Sequence, residues 1–336
     1  MVTMAVVYLL TGVSGHLGNV IARQLVEAGQ RVRGLVLPDD QIEGRLPEEV
    51  EIFIGDITKR ESLRPFFTGP KGISLRVIHS AGIISIASKA HAKMRATNVG
   101  GVKNMLTLSQ EHEVEKFIYV SSVHAIPELP QGETISEVNH FRPDLVVGPY
   151  AKTKAEATAL VLEAAAGGFD ASVVHPSGIV GPYDYGWGHM TQLIEDYCNG
   201  KLLAAVKGGY DFVDVRDVAK GTIAASEHGK PGACYILSNQ YIALGDILQG
   251  LQEITGMPKT KLILPLWIAK LSAPWAERYY AIRGKRPLYT PYSLYTLRSN
   301  AQFTHEKATA ELGYTPRQFW LTLEDTVRWL ADQGRI

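Results

Sequence analysis

Close to its start the chain runs Thr11-Gly12-Val13-Ser14-Gly15-His16-Leu17-Gly18 between an apolar run and an amphipathic stretch. No other feature restricts the fold as much. The preceding run, Ala5–Leu10, reads as a buried strand, and Leu17–Ala28 reads as a helix. A chain that leaves a strand and enters a helix within so few residues needs Gly12 for the sharp turn. Gly15 lets the backbone approach an anion with no Cβ in the way, and Gly18 lets the helix pack close to the strand. The helix then aims unpaired N–H groups and the positive end of its dipole at whatever the loop holds, which suits a pyrophosphate.

The same strand-then-helix texture continues. Val32–Val36, Glu51–Ile54, Leu75–His79, Lys116–Val120, Ala171–His175 and Cys234–Leu237 read as further strands, with helical patterns at Ala90–Glu111 and Tyr150–Ala166. Runs that are apolar throughout fit strands covered on both faces, so the expectation is an α/β fold with a doubly wound parallel sheet. After residue 176 Pro, Gly and aromatics rise and strands become sparse. The expected division is a dinucleotide-binding Rossmann domain at 1–176, with 202–240 returning to it, and a smaller, mostly helical substrate lobe from 177–201 and 241–336.

Composition narrows the function classes. Of 336 residues, 34 are Lys or Arg and 34 are Asp or Glu, so no basic excess exists to neutralise a nucleic-acid backbone. Cys198 and Cys234 make no disulfide framework, and no Cys/His cluster has metal-ligand spacing. No apolar run is long enough to span a membrane, since Leu262–Ala269 is interrupted by Lys270. A soluble, cytoplasmic, metal-free protein acting on a small molecule is expected.

Tyr150-Ala151-Lys152-Thr153-Lys154 puts a phenol and an ammonium four residues apart, on one face of a helix. A nearby cation favours the phenolate and so eases proton transfer. Tyr197 and Lys201 share that spacing, but Asn199-Gly200 between them looks like a helix end. Ser121-Ser122 ends the Lys116–Val120 strand, and ligands of open α/β sheets bind at that end of the strands. A hydroxyl there can donate to a carbonyl oxygen as charge develops.

With its glycines spaced three and three, the loop resembles the TGxxGxxG signature of the extended short-chain dehydrogenase/reductases, the NAD-dependent epimerase/dehydratase superfamily. Gly55-Asp56-Ile57, His79-Ser80-Ala81-Gly82, Asn98 and the segments at 212–219 and 311–317 match it in order, over nearly the whole chain. The pattern is most similar to dihydroflavonol-reductase-like and 3β-hydroxysteroid-dehydrogenase-like members. The resemblance implies Ser122 as the catalytic hydroxyl, Tyr150 as general acid/base, and Lys154 as the residue that grips the nicotinamide ribose and lowers the Tyr150 pKa. It implies a cofactor site drawn from Gly12, Gly15, His16, Leu17 and Gly18, from Asp56 and Ile57, from Ala81 and Gly82, and from Ser121, Pro176 and Ser177. His124, Tyr185 and His189 fall where members place substrate contacts, and a homodimer through the 90–111 and 150–166 helices is expected. His175 receives no chemical role.

Cofactor choice is set at the end of the second strand, where this chain reads Val36-Leu37-Pro38-Asp39-Asp40. Leu37 cannot pair with the extra phosphate of NADP and the two aspartates would repel it, which favours NAD over NADP, although Arg33 and Arg45 lie within reach in sequence. Two reactions compete. One is hydride transfer at a secondary alcohol or ketone of an apolar or aromatic molecule. The other is nucleotide-sugar epimerisation or dehydration with tightly bound NAD. Tyr210-Asp211-Phe212 lacks the arginine that many sugar-nucleotide members carry there, and Val123-His124 replaces the Asp-Glu pair of dehydratases. The aromatics Trp267, Trp275, Tyr279, Tyr280, Tyr289, Tyr292 and Tyr295 suit an apolar pocket, or equally a lobe core.

Overall fold

The computed structural model describes residues 6–69, 72–85, 92–202, 204–258, 262–264 and 290–336. Seven parallel strands form its central sheet. In chain order these are β1 (Val6–Thr11), β2 (Arg31–Val36), β3 (Glu51–Ile54), β4 (Ser74–His79), β5 (Lys116–Val120), β6 (Ala171–Pro176) and β10 (Cys234–Leu237), arranged β10-β6-β5-β4-β1-β2-β3. All seven coincide with strands expected from the sequence to within a residue at either end. The reason is visible on β1, where Val7 and Leu9 enter one core while Tyr8 and Leu10 enter the other. Both faces are covered, so apolar residues can follow one another without a polar partner between them.

The strand order reverses between β1 and β4. Chain segments leaving these two strands diverge there and open a crevice at their C-terminal ends, the usual ligand position in such sheets. The phosphate loop and the 79–85 segment line it. Behind that segment lies a helix over 92–111 whose middle, Ala96–Gly100, is a π turn. Asn98 sits in this turn and turns inward. Its Oδ1 accepts from Ile83 N at 2.7 Å, and its Nδ2 donates to Ile83 O and Thr153 Oγ1, both at 3.0 Å. One side chain therefore fastens the loop after β4 to the Pro149–Ala166 helix.

Beyond β6 the chain builds smaller sheets. The short β7 (Gly178–Val180) pairs with β9 (Gly209–Asp214), which pairs with β11 (Gln240–Ala243), while β8 (Ala204–Val206) pairs with β12 (Leu262–Leu264). Between them only Val215–Leu237, a helix followed by β10, rejoins the main sheet. The remaining described C-terminal elements are mostly helical: Leu244–Thr255, Pro291–Thr296, Glu306–Leu312 and Phe319–Asp332.

The motifs at 212–219 and 311–317 meet here. Asp214 caps the Val215–His228 helix by accepting from Arg216 N at 2.7 Å, and Arg317 pairs with Asp217 at 2.8 Å. Tyr314 donates to Ser238 O at 3.1 Å. Their role is to lock the last third of the chain onto the sheet. Trp267, Trp275, Tyr279, Tyr280 and Tyr289 lie outside the described residues.

Candidate active site

At the phosphate loop, Gly12 has φ +72°, and a Cβ there would come within 2.7 Å of Ala81 N. A Cβ on Gly18 would sit 2.0 Å from Gly12 O, so the His16–Glu27 helix rests directly on the loop. That helix has no side-chain cap and no acidic residue in its first turn. Its leading N–H groups thus face the crevice without an internal anion competing for them, which fits a pyrophosphate. Leu17 is buried beneath the loop, and His16 Nε2 donates to Pro182 O at 3.0 Å, tying the loop to the segment after β7.

Around this cradle the other expected cofactor residues take fixed positions. Asp56 Oδ1 accepts from Thr58 N at 2.9 Å and Thr58 Oγ1 at 2.7 Å. Burial raises its pKa, but these bonds and the Lys59 and Lys93 charges outweigh that and hold the carboxyl below its usual value. Ile57 is wedged against Gly101, and Ala81 N donates to Thr11 Oγ1 at 3.2 Å. Gly82 leaves a gap whose would-be Cβ lies 3.7 Å from Lys154 Nζ.

Two residues turn their hydroxyls elsewhere. Ser121 Oγ bonds Thr158 Oγ1 at 2.7 Å, and Ser177 donates to the buried Asp211. At the end of β2, Asp40 Oδ2 accepts from Ser14 Oγ at 2.7 Å and from Leu37 N at 3.1 Å, placing a carboxylate against the phosphate loop. Arg33 is committed to Glu51 and to the Phe66 and Thr68 carbonyls, and the Arg45 guanidinium lies over the Tyr185 ring. Sequence proximity had left both arginines open as phosphate partners; their observed contacts point them elsewhere.

Ser122, Tyr150 and Lys154 converge at the C-terminal end of β5. Gly148, with φ +97°, turns the chain so that Pro149 opens the helix and Tyr150 faces the crevice. Ser122 Oγ accepts from His124 N at 3.3 Å and lies close enough to the Tyr150 phenol to pull its pKa down, while the Ser122 carbonyl accepts from His175 Nδ1 at 3.0 Å. His175, stacked on Phe141 at 5.1 Å, is thus a positioning residue for Ser122. Lys154 Nζ donates to Val120 O at 2.7 Å and lies over the Tyr119 ring.

A lysine four residues after Tyr150 on one helix face is expected to lower the Tyr150 pKa. In this geometry burial dominates instead and raises the phenol, with only the Ser122 hydrogen bond pulling it down. Burial also lowers Lys154 to about 7. The decoy pair stays apart as expected: Tyr197 donates to Met257 O, and Lys201 lies beyond the helix end at Gly200.

An aromatic wall adjoins these groups. The His124 ring stacks on Tyr210 at 5.5 Å, meets Tyr150 edge-on at 6.2 Å, and lies 6.1 Å from Tyr292. Burial lowers His124 to about 4, so the imidazole is neutral at physiological pH. Behind the wall a cleft is lined by Ile126, Ile135, Val146 and Phe303, with Glu128 and Tyr295 at its polar end. The sequence offered Tyr292 as one of several aromatics for a pocket or a lobe core and noted Tyr210 only for the charge it lacks; that both meet His124 no local motif marks. Tyr185 falls in a different cluster, edge-on to Trp329 at 5.6 Å, and His189 opens the His189–Cys198 helix.

Comparison with known proteins agrees with this geometry. The family model described as the NAD dependent epimerase/dehydratase family matches residues 8–237. The chain is 30% identical over 334 residues to sterol demethylase protein B of Methylococcus capsulatus, covering 98% of this chain and 99% of that protein. It is 29% identical to a putative dihydroflavonol 4-reductase of Synechocystis, covering 100% and 97% respectively. Among solved structures, a nucleoside-diphosphate-sugar epimerase from Pseudomonas aeruginosa superposes with a TM-score of 0.77 at 21% identity, over 99% of each chain.

Proposed function

This chain belongs to the NAD dependent epimerase/dehydratase family and is an NAD(P)-dependent oxidoreductase of that family, and from that premise we propose that it interconverts a secondary alcohol and a ketone on an apolar small molecule. The observation that carries the reading is the convergence of Ser122, Tyr150 and Lys154 near the bare backbone of Gly82, beside the His124, Tyr210 and Tyr292 rings. The similarity to a protein named as a sterol demethylase component supports an apolar substrate.

Bound nicotinamide would supply or take the hydride. The chain's own residues do the rest. In the reductive direction Tyr150, which burial keeps protonated, gives its proton to the new alkoxide; the oxidative direction runs the same transfer backwards from the phenolate, as the carbinol C–H bond breaks, and is favoured as pH rises. Ser122, its oxygen already accepting from His124 N, has its own O–H free to turn from the phenol to the substrate oxygen and stabilise the developing charge. Lys154, its ammonium close to Gly82, would hold the ribose. Asp40, pinned to Ser14, would repel an extra phosphate at the ribose end, which supports NAD over NADP.

The nucleotide-sugar reading is weaker, because Tyr210 stacks on His124 where a phosphate-binding cation would be needed. Denaturing fresh protein and quantifying released nucleotide separates the two. Little retained cofactor, turnover of an alcohol and ketone panel, and a Tyr150→Phe loss of about 10²–10⁴-fold in kcat are expected. Near-stoichiometric retained NAD with turnover of sugar nucleotides alone would overturn the proposal.

A further inference from the structure

The reaction above leaves the hydroxyl of Tyr292 without a task. The residue is 8% exposed, and its hydroxyl is buried with no hydrogen-bond partner among the described residues. A buried hydroxyl left unpaired is costly, so one in a rigid setting marks where another polar atom belongs. The setting here is rigid. Thr290 and Ser293 form a reciprocal capping box that fixes the first turn of the Pro291–Thr296 helix. The ring lies on Gly148, where a Cβ would come within 2.2 Å of Tyr292 Cε2. Gly148 caps the helix that carries Tyr150, so the C-terminal lobe delivers this phenol to the edge of the reacting groups.

We propose that the Tyr292 hydroxyl binds a second, uncharged oxygen of the substrate, on a carbon other than the one that reacts. Resting on the alcohol–ketone reading, this narrows its substrate class to hydroxy- or oxo-substituted ketones and the corresponding alcohols. A carbonyl oxygen offers two lone pairs, and Ser122 and Tyr150 are placed to take both. A third hydroxyl at the same site must therefore meet a different atom. That atom is uncharged because the groups around it are. His124 is neutral, burial pushes Tyr292 itself up to about 12, and the neighbouring Tyr295 donates to Glu128, an anion that would repel another. Among the described residues, the His124, Tyr210 and Tyr292 wall itself carries no cation to receive a carboxylate or phosphate.

The test compares binding of cyclohexanone, 2-hydroxycyclohexanone and 3-hydroxycyclohexanone to the NAD-loaded full chain by ligand-observed NMR, in wild type and Tyr292→Phe. Wild type is expected to prefer one hydroxyketone over cyclohexanone by about tenfold, and Tyr292→Phe to bring that ratio close to one. No preference in wild type, or a preference that survives the substitution, would overturn the proposal. Thermal melting supplies a second check. Deleting a truly unpaired hydroxyl leaves the Tm at or above wild type, whereas a clear drop would mean that the hydroxyl has a structural partner and the proposal fails. Selective binding without turnover would instead count against the alcohol–ketone reading and leave the Tyr292 contact standing.

Discussion

Asp211 lies on β9 with its carboxylate buried, accepting from Ser177 Oγ and, at 3.0 Å, from Asn239 N. Burial outweighs these bonds and raises its pKa to about 6. A folded pKa above the unfolded value of about 3.8 means that the folded chain binds the extra proton between those limits. The favourable contribution is therefore full below about pH 4 and is lost as pH rises through about 6, an effect of up to about 3 kcal/mol. Asp211→Asn keeps an oxygen acceptor without the charge. Its Tm should exceed that of wild type at pH 7.5, and the two should converge by pH 4; parallel Tm profiles across that range would show that burial does not set this group. At this same scale the sequence exposed some site residues and hid others. Ser122, Tyr150 and Lys154 were readable because a strand end and a four-residue helical spacing fix where they point. The meeting of Tyr210 and Tyr292 with His124 was not, although Tyr292 stood among the aromatics suited to a pocket or a core, since they reach it from 86 and 168 positions away in the chain and no local pattern announces such a contact.

The His16–Glu27 helix bears on the phosphate loop through the missing side chain of Gly18. A Cβ there would meet Gly12 O at 2.0 Å and Gly12 C at 2.6 Å, both backbone atoms with no rotamer to change. Alanine would favour the helix intrinsically by about 0.5–1 kcal/mol, but the overlap forces the helix off the loop at a cost of about 1–3 kcal/mol. Gly18→Ala should therefore lower the urea midpoint and weaken NAD binding by at least about tenfold, since the first-turn N–H groups move with the helix. Unchanged affinity would show that those groups do not hold the cofactor. Elements of the main sheet were legible because their strands are continuous apolar runs. The three- to six-residue strands β7, β8, β9, β11 and β12 were harder to read, since glycines at 178, 208 and 209 interrupt the pattern and their pairing is decided by residues distant in sequence. The π turn at Ala96–Gly100 was equally invisible. It coincides with the inward-turned Asn98, whose partners Ile83 and Thr153 belong to other elements.

For the molecule as a whole, 34 Lys and Arg against 34 Asp and Glu leave no basic excess, and no described helix is long and apolar enough to cross a membrane. What remains to be covered is the outer surface of the Pro149–Ala166 helix. Its inner side carries Tyr150 and Lys154, yet Ala159, Leu160, Leu162, Ala164 and Ala165 on its other sides are only partly buried. Lys152 and Glu163 are exposed on this helix, so its half-buried apolar residues form a patch between charges, the composition of an interface rim and core. The neighbouring 92–111 helix runs beside it, joined by Arg95 Nε to Glu156 Oε2 at 3.2 Å, so the two present one continuous surface. A formal net charge of zero imposes no long-range repulsion between copies. The expected assembly is a homodimer in which these two helices meet their equivalents about a two-fold axis, forming a four-helix interface. Light scattering after size exclusion should return twice the monomer mass. Leu160→Glu should yield a monomer with an unchanged far-UV spectrum, because a carboxylate at the centre of that surface would be desolvated in the dimer and solvated in the free chain. A wild-type monomer at tens of micromolar would remove the dimer, and a dimer indifferent to Leu160→Glu would place its interface elsewhere. Because Tyr150 stands on the inner side of the same helix, a monomeric Leu160→Glu variant also asks whether the interface steadies the site: a fall in kcat with little change in KM would show that the partner copy holds the Tyr150 helix in its working position.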